Sequence, residues 1–205
     1  MPIWPKRRPG ARPPKGAAGF GGPLPRLERT LADRERVLGG DHRDTLAARN
    51  NLARAYLDAG RPAEAVPLLE RTVVDSERVL GGDHPGTLTV RENLASAYLQ
   101  AGRLAEAVPL FERTVADRER LLGSDHPQTM TARNNLAEAY LDGGRLAEAV
   151  ALLERTLADR ARVLGGDHPG TLVSRINLAG AYLREGRLAE AVPLFEGTLA
   201  DSERC

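Results

Sequence analysis

Along residues 85–101, PGTLTVRENLASAYLQA, apolar side chains recur at three- and four-residue spacing: Leu88, Leu94, Ala95, Tyr98 and Leu99. That is the stripe of one helix face. Pro85 suits the first helical position, where its missing N–H has no intrahelical partner to lose. Gly102 follows as a stop signal. Residues 103–122, RLAEAVPLFERTVADRERLL, carry a second stripe through Ala107, Val108, Phe111, Val115 and Leu122. Their C-terminal half alternates acid and base (Asp117, Arg118, Glu119, Arg120), which reads as a solvated face. Gly123 ends the run. The two stretches predict a helix–turn–helix hairpin.

The hairpin recurs every 42 residues without a gap. His42, His84, His126 and His168 are in register, as are Asn51, Asn93, Asn135 and Asn177, and Tyr56, Tyr98, Tyr140 and Tyr182. Hairpins are predicted over 43–80, 85–122, 127–164 and 169–204, after a leading helix over 24–38 that matches the second helix of each pair. One hairpin cannot bury its apolar face alone, but a stack can, so the period predicts an all-α solenoid. Pro67, Pro109 and Pro193 fall inside the second helices and predict a bend near their starts. The third hairpin has Ala151 there and predicts a straighter helix.

Composition narrows the function. Aromatic residues make up only 4% of the 205 and charged residues 28%, which suits helices packed through small and aliphatic side chains. The net charge of +1 is unevenly placed. Residues 1–22 hold Lys6, Arg7, Arg8, Arg12 and Lys15 and no acid, while the remainder holds 24 basic and 28 acidic groups. A nucleic-acid surface needs a basic body, so nucleic acid is not the expected partner. Residues 1–22 also carry five Pro and five Gly, a composition that predicts a disordered basic tail and not part of the array, which is taken as 23–205. Two readings of the tail stay open: a flexible arm, or a linker in a fragment of a longer array. Apolar faces at the ends of the array would favour end-to-end self-association. Cys205 is the single cysteine, no apolar run approaches membrane-spanning length, and a cytoplasmic location is expected.

The recurring Asp-His pairs, as in GGDHPGTL at 81–88, invite a metal reading. One Asp and one His per hairpin is too few ligands for a zinc site, and packed helix axes lie about 8–10 Å apart. The pairs read instead as joints, with glycine stopping one helix and Asp83 or His84 capping the next. No nucleophile elbow and no phosphate-binding loop occurs, so neither an enzyme nor a cofactor is expected.

Arg91-x2-Leu94-Ala95-x2-Tyr98 followed by Ala107-x3-Phe111 resembles the tetratricopeptide repeat pattern, with Arg for the usual Trp and Ala for the usual Gly. The 42-residue unit, with its DHP, NLA, GR and EA signatures, is similar to the kinesin-light-chain-like type. The resemblance covers about residues 24–204 and implies a right-handed solenoid of helical hairpins acting as a non-enzymatic scaffold for an extended peptide or partner domain. A regulatory or sensor segment of a larger signalling NTPase or transcription regulator is the alternative it implies.

In such arrays the first helices line the groove, and the matching Asn often hydrogen-bonds a bound peptide backbone. The resemblance therefore makes Asn51, Asn93, Asn135 and Asn177 the groove candidates, with a tie between neighbouring helices as their other possible role. Asn50, Glu92, Asn134, Arg54 and Glu138 are the variable positions nearby. No Lys stands among these positions, which argues against an adaptor that clamps a chaperone's C-terminal carboxylate. Arg49, Arg91, Arg133 and Arg175 form a further column that either lines the groove and attracts acidic ligands or pairs with Glu64, Glu106, Glu148 and Glu190.

Overall fold

The computed structural model describes residues 23–202, with side chains through 199. The expected disordered tail over 1–22 and the terminal Cys205 lie outside the described residues. The regular elements among the described residues are all helices: α1 Pro23–Leu38, α2 Arg43–Asp58, α3 Pro62–Leu80, α4 Pro85–Gln100, α5 Leu104–Leu122, α6 Pro127–Asp142, α7 Leu146–Leu164, α8 Pro169–Glu185 and α9 Leu188–Ser202. Helices α2 and α3, and likewise each later pair, form the hairpins of an all-α solenoid. Helices α3, α5 and α9 each run on through their internal proline.

Packing divides the described residues into two compact units, the sequence boundary between them falling after Thr114, inside α5. In the first, α1 packs on α2, α2 on α3, and α3 on α4, while α2 also lies against α4. In the second, α6, α7, α8 and α9 pack in the same order, with α6 against α8. The contacts are local in sequence, as a stack of hairpins requires.

Each core is aliphatic and built on alanine. Ala53 and Ala65 are fully buried where α2 and α3 approach, with Leu57, Val66, Leu69 and Leu94 around them. Leu31, Ala48 and Leu52 join α1 to α2. The second unit repeats this with Ala137, Ala149, Val150, Leu153, Leu178 and Ala191. An alanine here lets helix backbones approach without the helix penalty that glycine carries.

Turns are set by glycines with positive φ at every twenty-first residue, from Gly39 to Gly186. Gly144 (φ 75°) is representative. Its N–H donates to the Leu141 carbonyl at 3.2 Å and that of Arg145 to Tyr140 at 2.8 Å. This double closure ends α6 and needs a left-handed residue at that point.

Candidate functional site

The joints resolve the Asp-His pairs. His42, His84, His126 and His168 each hold the extended N-cap conformation. The Nδ1 of each accepts from the backbone N–H two residues on, at 3.2, 3.0, 3.2 and 3.0 Å respectively. Of the two capping candidates histidine takes the role, because the next residue opens the helix and the aspartate sits one place too early. Asp41 instead accepts from Arg78, and Asp125 from Arg162. Those hydrogen bonds hold both carboxyls below the usual aspartate range. His126→Ala is expected to cost about 1 kcal/mol, whereas His126→Asn, which keeps an acceptor, costs less; thermal melts of the two variants check this.

Three of the four arginines in the column are buried in the fold and do not line a groove. Arg49, Arg91 and Arg133 are among the most deeply buried side chains, at 1%, 1% and 0% exposure. Arg49 Nε and Nη2 donate to Glu35 at 2.9 and 2.7 Å, and Nη1 donates to Asp75 at 2.7 Å. Arg133 repeats this with Glu119, at 2.8 and 2.5 Å, and Asp159, at 2.8 Å. Arg91 donates to Glu77 at 2.7 Å. The physical reason is angular: residues two apart on a helix point about 200° apart, so Arg49 faces inward when Asn51 faces out. Arg175 is half-buried and donates to the Gly166 carbonyl at 3.3 Å; Ala161 stands where the other repeats place Glu35, Glu77 and Glu119.

Pairing with Glu64, Glu106, Glu148 and Glu190 also fails for this column. Those glutamates accept from Arg61, Arg103, Arg145 and Arg187 across each turn. The same four arginines stack on Tyr56, Tyr98, Tyr140 and Tyr182, 4.0 to 4.8 Å from the ring centres. Tyr98 donates to Glu70 at 2.8 Å, and burial together with that hydrogen bond pushes its phenol up to about 12. Sequence reading missed this Tyr–Gly-Arg–Glu unit, although its spacing repeats in every hairpin. The supposed solvated face at 117–120 is also partly packed: Arg118 is buried, and its Nη1 donates to the Gln128 carbonyl at 3.0 Å.

The asparagines occupy a different surface. On α2 the exposed stripe runs Ala47, Asn51, Arg54, Asp58, and the matching α4 positions are Thr89, Asn93, Ser96, Gln100. In the second unit the stripes are Thr131, Asn135, Glu138, Asp142 on α6 and Val173, Asn177, Gly180, Arg184 on α8. Asparagine is the constant member of an otherwise variable stripe. Asn51 and Asn177 are exposed and have no side-chain partner among the described residues. Asn93 Nδ2 donates to Asn50 Oδ1 at 2.8 Å, so a tie between α2 and α4 is present. Asn134 is buried and donates to Ser174 Oγ at 3.2 Å, which removes it from the outer surface. Glu92 is half-buried; Arg54 is exposed and donates to Asp58. Glu138 is exposed on its stripe, yet partial desolvation, with Asp142 adding repulsion, raises its carboxyl pKa.

Between α2 and α4 the surface opens into a cavity of about 290 Å³, lined among others by Asp44, Asn50, Asn51, Ser76, His84 and Gly86. Among the described residues no cluster of three His, Cys, Asp or Glu side chains has metal-binding geometry, and no helix is long and apolar enough to cross a membrane.

Family models for the tetratricopeptide repeat match residues 45–86 and, in overlapping stretches, 74–120, 93–160 and 130–203. Among solved structures, a Podosopora anserina protein of kinesin-light-chain type with nearly identical TPR-like repeats is 37% identical, with a TM-score of 0.78 over 89% of this chain and 87% of that one. BtubC (BKLC) from P. vanneervenii shares the fold at 21% identity, with a TM-score of 0.78 over 89% of this chain and 74% of that one. YrrB, a TPR protein with an unusual peptide-binding site, shares it at 17% identity, with a TM-score of 0.58 over 87% and 79%. No curated protein matches.

Proposed function

The chain belongs to the tetratricopeptide repeat family, and from that premise we propose that it binds an extended peptide, or an extended segment of a partner protein, along its first-helix stripes. The contacts are made by Asn51 and Asn93 in one unit and by Asn135 and Asn177 in the other. Proteins of this family serve as protein–protein interaction scaffolds and typically do no chemistry, and the reading is of a non-enzymatic scaffold working in the cytoplasm. One observation carries it: across four repeats the asparagine is kept on a first-helix stripe whose other members change, exposed at Asn51 and Asn177 and half-buried at Asn93 and Asn135. A constant amide suits a constant ligand feature, and the only such feature of an extended peptide is its backbone, with one donor and one acceptor per residue. Changing neighbours such as Arg54, Ser96, Glu138 and Gly180 would then read the ligand's side chains. A TPR protein of the same fold that has a peptide-binding site adds support.

Peptides selected from a random library on the purified chain test the reading. Asn51→Ala is expected to weaken a selected peptide about three- to tenfold, the worth of roughly one net hydrogen bond, with the melting temperature unchanged because Asn51 has no internal partner to lose. Asn93→Ala is expected to weaken binding similarly and also to cost about 1 kcal/mol of stability through the lost tie to Asn50. Unchanged affinity in both variants overturns the assignment.

A further inference from the structure

Of the four positions 34, 76, 118 and 160, each followed by another first helix, three hold an arginine and one does not; position 202, at the end of α9, is again serine. Arg34 Nη1 donates to the Asp44 carbonyl at 2.7 Å, Arg118 Nη1 to that of Gln128 at 3.0 Å, and Arg160 Nη1 to that of Gly170 at 2.6 Å. In each case the acceptor lies ten residues on, in the first turn of the following helix. The corresponding residue on α3 is Ser76 and the corresponding carbonyl is that of Gly86. No side chain among the described residues donates to Gly86, and Ser76 Oγ, on a residue only 1% exposed, has no hydrogen-bond partner. The cavity of about 290 Å³ lies here, lined by both residues.

The rest of the lining matches in position but not in acceptors. Arg160 also donates to Ser174 Oγ at 3.0 Å and to Thr131 Oγ1 at 3.2 Å. Two periods, or 84 residues, earlier these positions are Val90 and Ala47, which both line the cavity but carry no hydroxyl acceptor. The space therefore corresponds to the place Arg160 fills in the later repeat, with the Gly86 carbonyl and Ser76 Oγ as the acceptors that remain.

We propose that the cavity takes the guanidinium of an arginine side chain presented by a partner polypeptide. The Gly86 carbonyl and Ser76 Oγ accept from it at the floor, as the matching carbonyls accept from the protein's own arginines. Asn51 Oδ1 and the Asp44 carboxylate, which also line the cavity, supply acceptors nearer the mouth. Guanidinium fits this set better than ammonium because its planar donors spread toward several acceptors at once. The proposal rests on the stripe being the ligand surface and names one side chain the ligand presents there. A small probe tests it without any partner, so its failure and that of the peptide reading are separable.

The experiment is a titration of the full chain with N-acetyl-L-argininamide, followed by amide NMR and paired with thermal melts. Saturable shifts are expected at Gly86, Val90 and the Asn51 side-chain amide, with N-acetyl-L-lysinamide at least tenfold weaker and free L-arginine no tighter than the blocked form. Ser76→Arg, which returns the arginine of the other repeats, is expected to abolish those shifts and to raise the melting temperature. The proposal is overturned by absent saturation, by equal binding of the lysine probe, by shifts that persist in Ser76→Arg, or by a lower melting temperature for that variant. Free arginine binding tenfold tighter than the blocked form would overturn the polypeptide source.

Discussion

Arg133→Ala is expected to destabilise the protein by about 3 kcal/mol, a loss on the order of 10 °C in melting temperature for a chain of this size. The side chain is fully buried between Glu119 and Asp159. Removing it strands two carboxylates that face each other across the vacated space. The figure sits at the low end for a broken buried pair because Glu119 and Asp159 keep 33% and 19% of their side-chain surface exposed and can partly rehydrate. Arg155 is the control. It lies 3.9 Å from the same Glu119 with 57% of its side chain exposed, and its truncation is expected to change stability by less than about 0.5 kcal/mol. Calorimetric melts of both variants check the pair. A small effect at Arg133 together with lost peptide binding would return the arginine column to the ligand surface, from which its burial removes it.

Leu153→Ala is expected to cost about 3 kcal/mol. Leu153 is 1% exposed and stands in the second unit's core with Val150 and Leu178, so truncation leaves a void between α7 and α8. Val163, 42% exposed on the same helix, is the comparison: Val163→Ala is expected to fall within about 0.5 kcal/mol of the parent. Hydrogen exchange locates the effect. Amides of α7 and α8 lose protection first, because stability in a hairpin stack is held between nearest neighbours. Uniform loss across all helices would contradict that local accounting.

The period and the helix-phased stripes were legible in the sequence because each hairpin repeats the same local solution. Pro85, Gly102 and the Leu94-Ala95 step announce start, stop and close approach without reference to distant residues. The arginines were not legible in the same way. Arg49 falls on the inner stripe with Thr45 and Leu52, yet its charge suggested the surface. Its partners lie 14 residues back and 26 on, in other helices, where no local pattern points. The capping histidine was nearer to hand: where proline takes the first helical position, as at Pro85, the residue before it is the cap, and that residue is histidine. Ser76 is visible as a departure from a column that holds Arg34, Arg118 and Arg160, with a second serine, Ser202, at the end of α9. Its meaning needed the carbonyls that those arginines reach.

The repeat therefore carries two kinds of constant polar residue. Histidine, tyrosine, the inner arginines and their carboxylates are consumed within the fold. Asn51 and Asn177 are constant and exposed, with no side-chain partner among the described residues. Mapping a selected peptide onto the chain by NMR distinguishes the two kinds. The predicted result is that perturbations follow the α2 and α4 stripes through Ala47, Asn51, Arg54 and Asn93, with the side-chain amide of Asn51 among the largest. Perturbations confined to the outer faces of α1 and α3, with Asn51 silent, would contradict it.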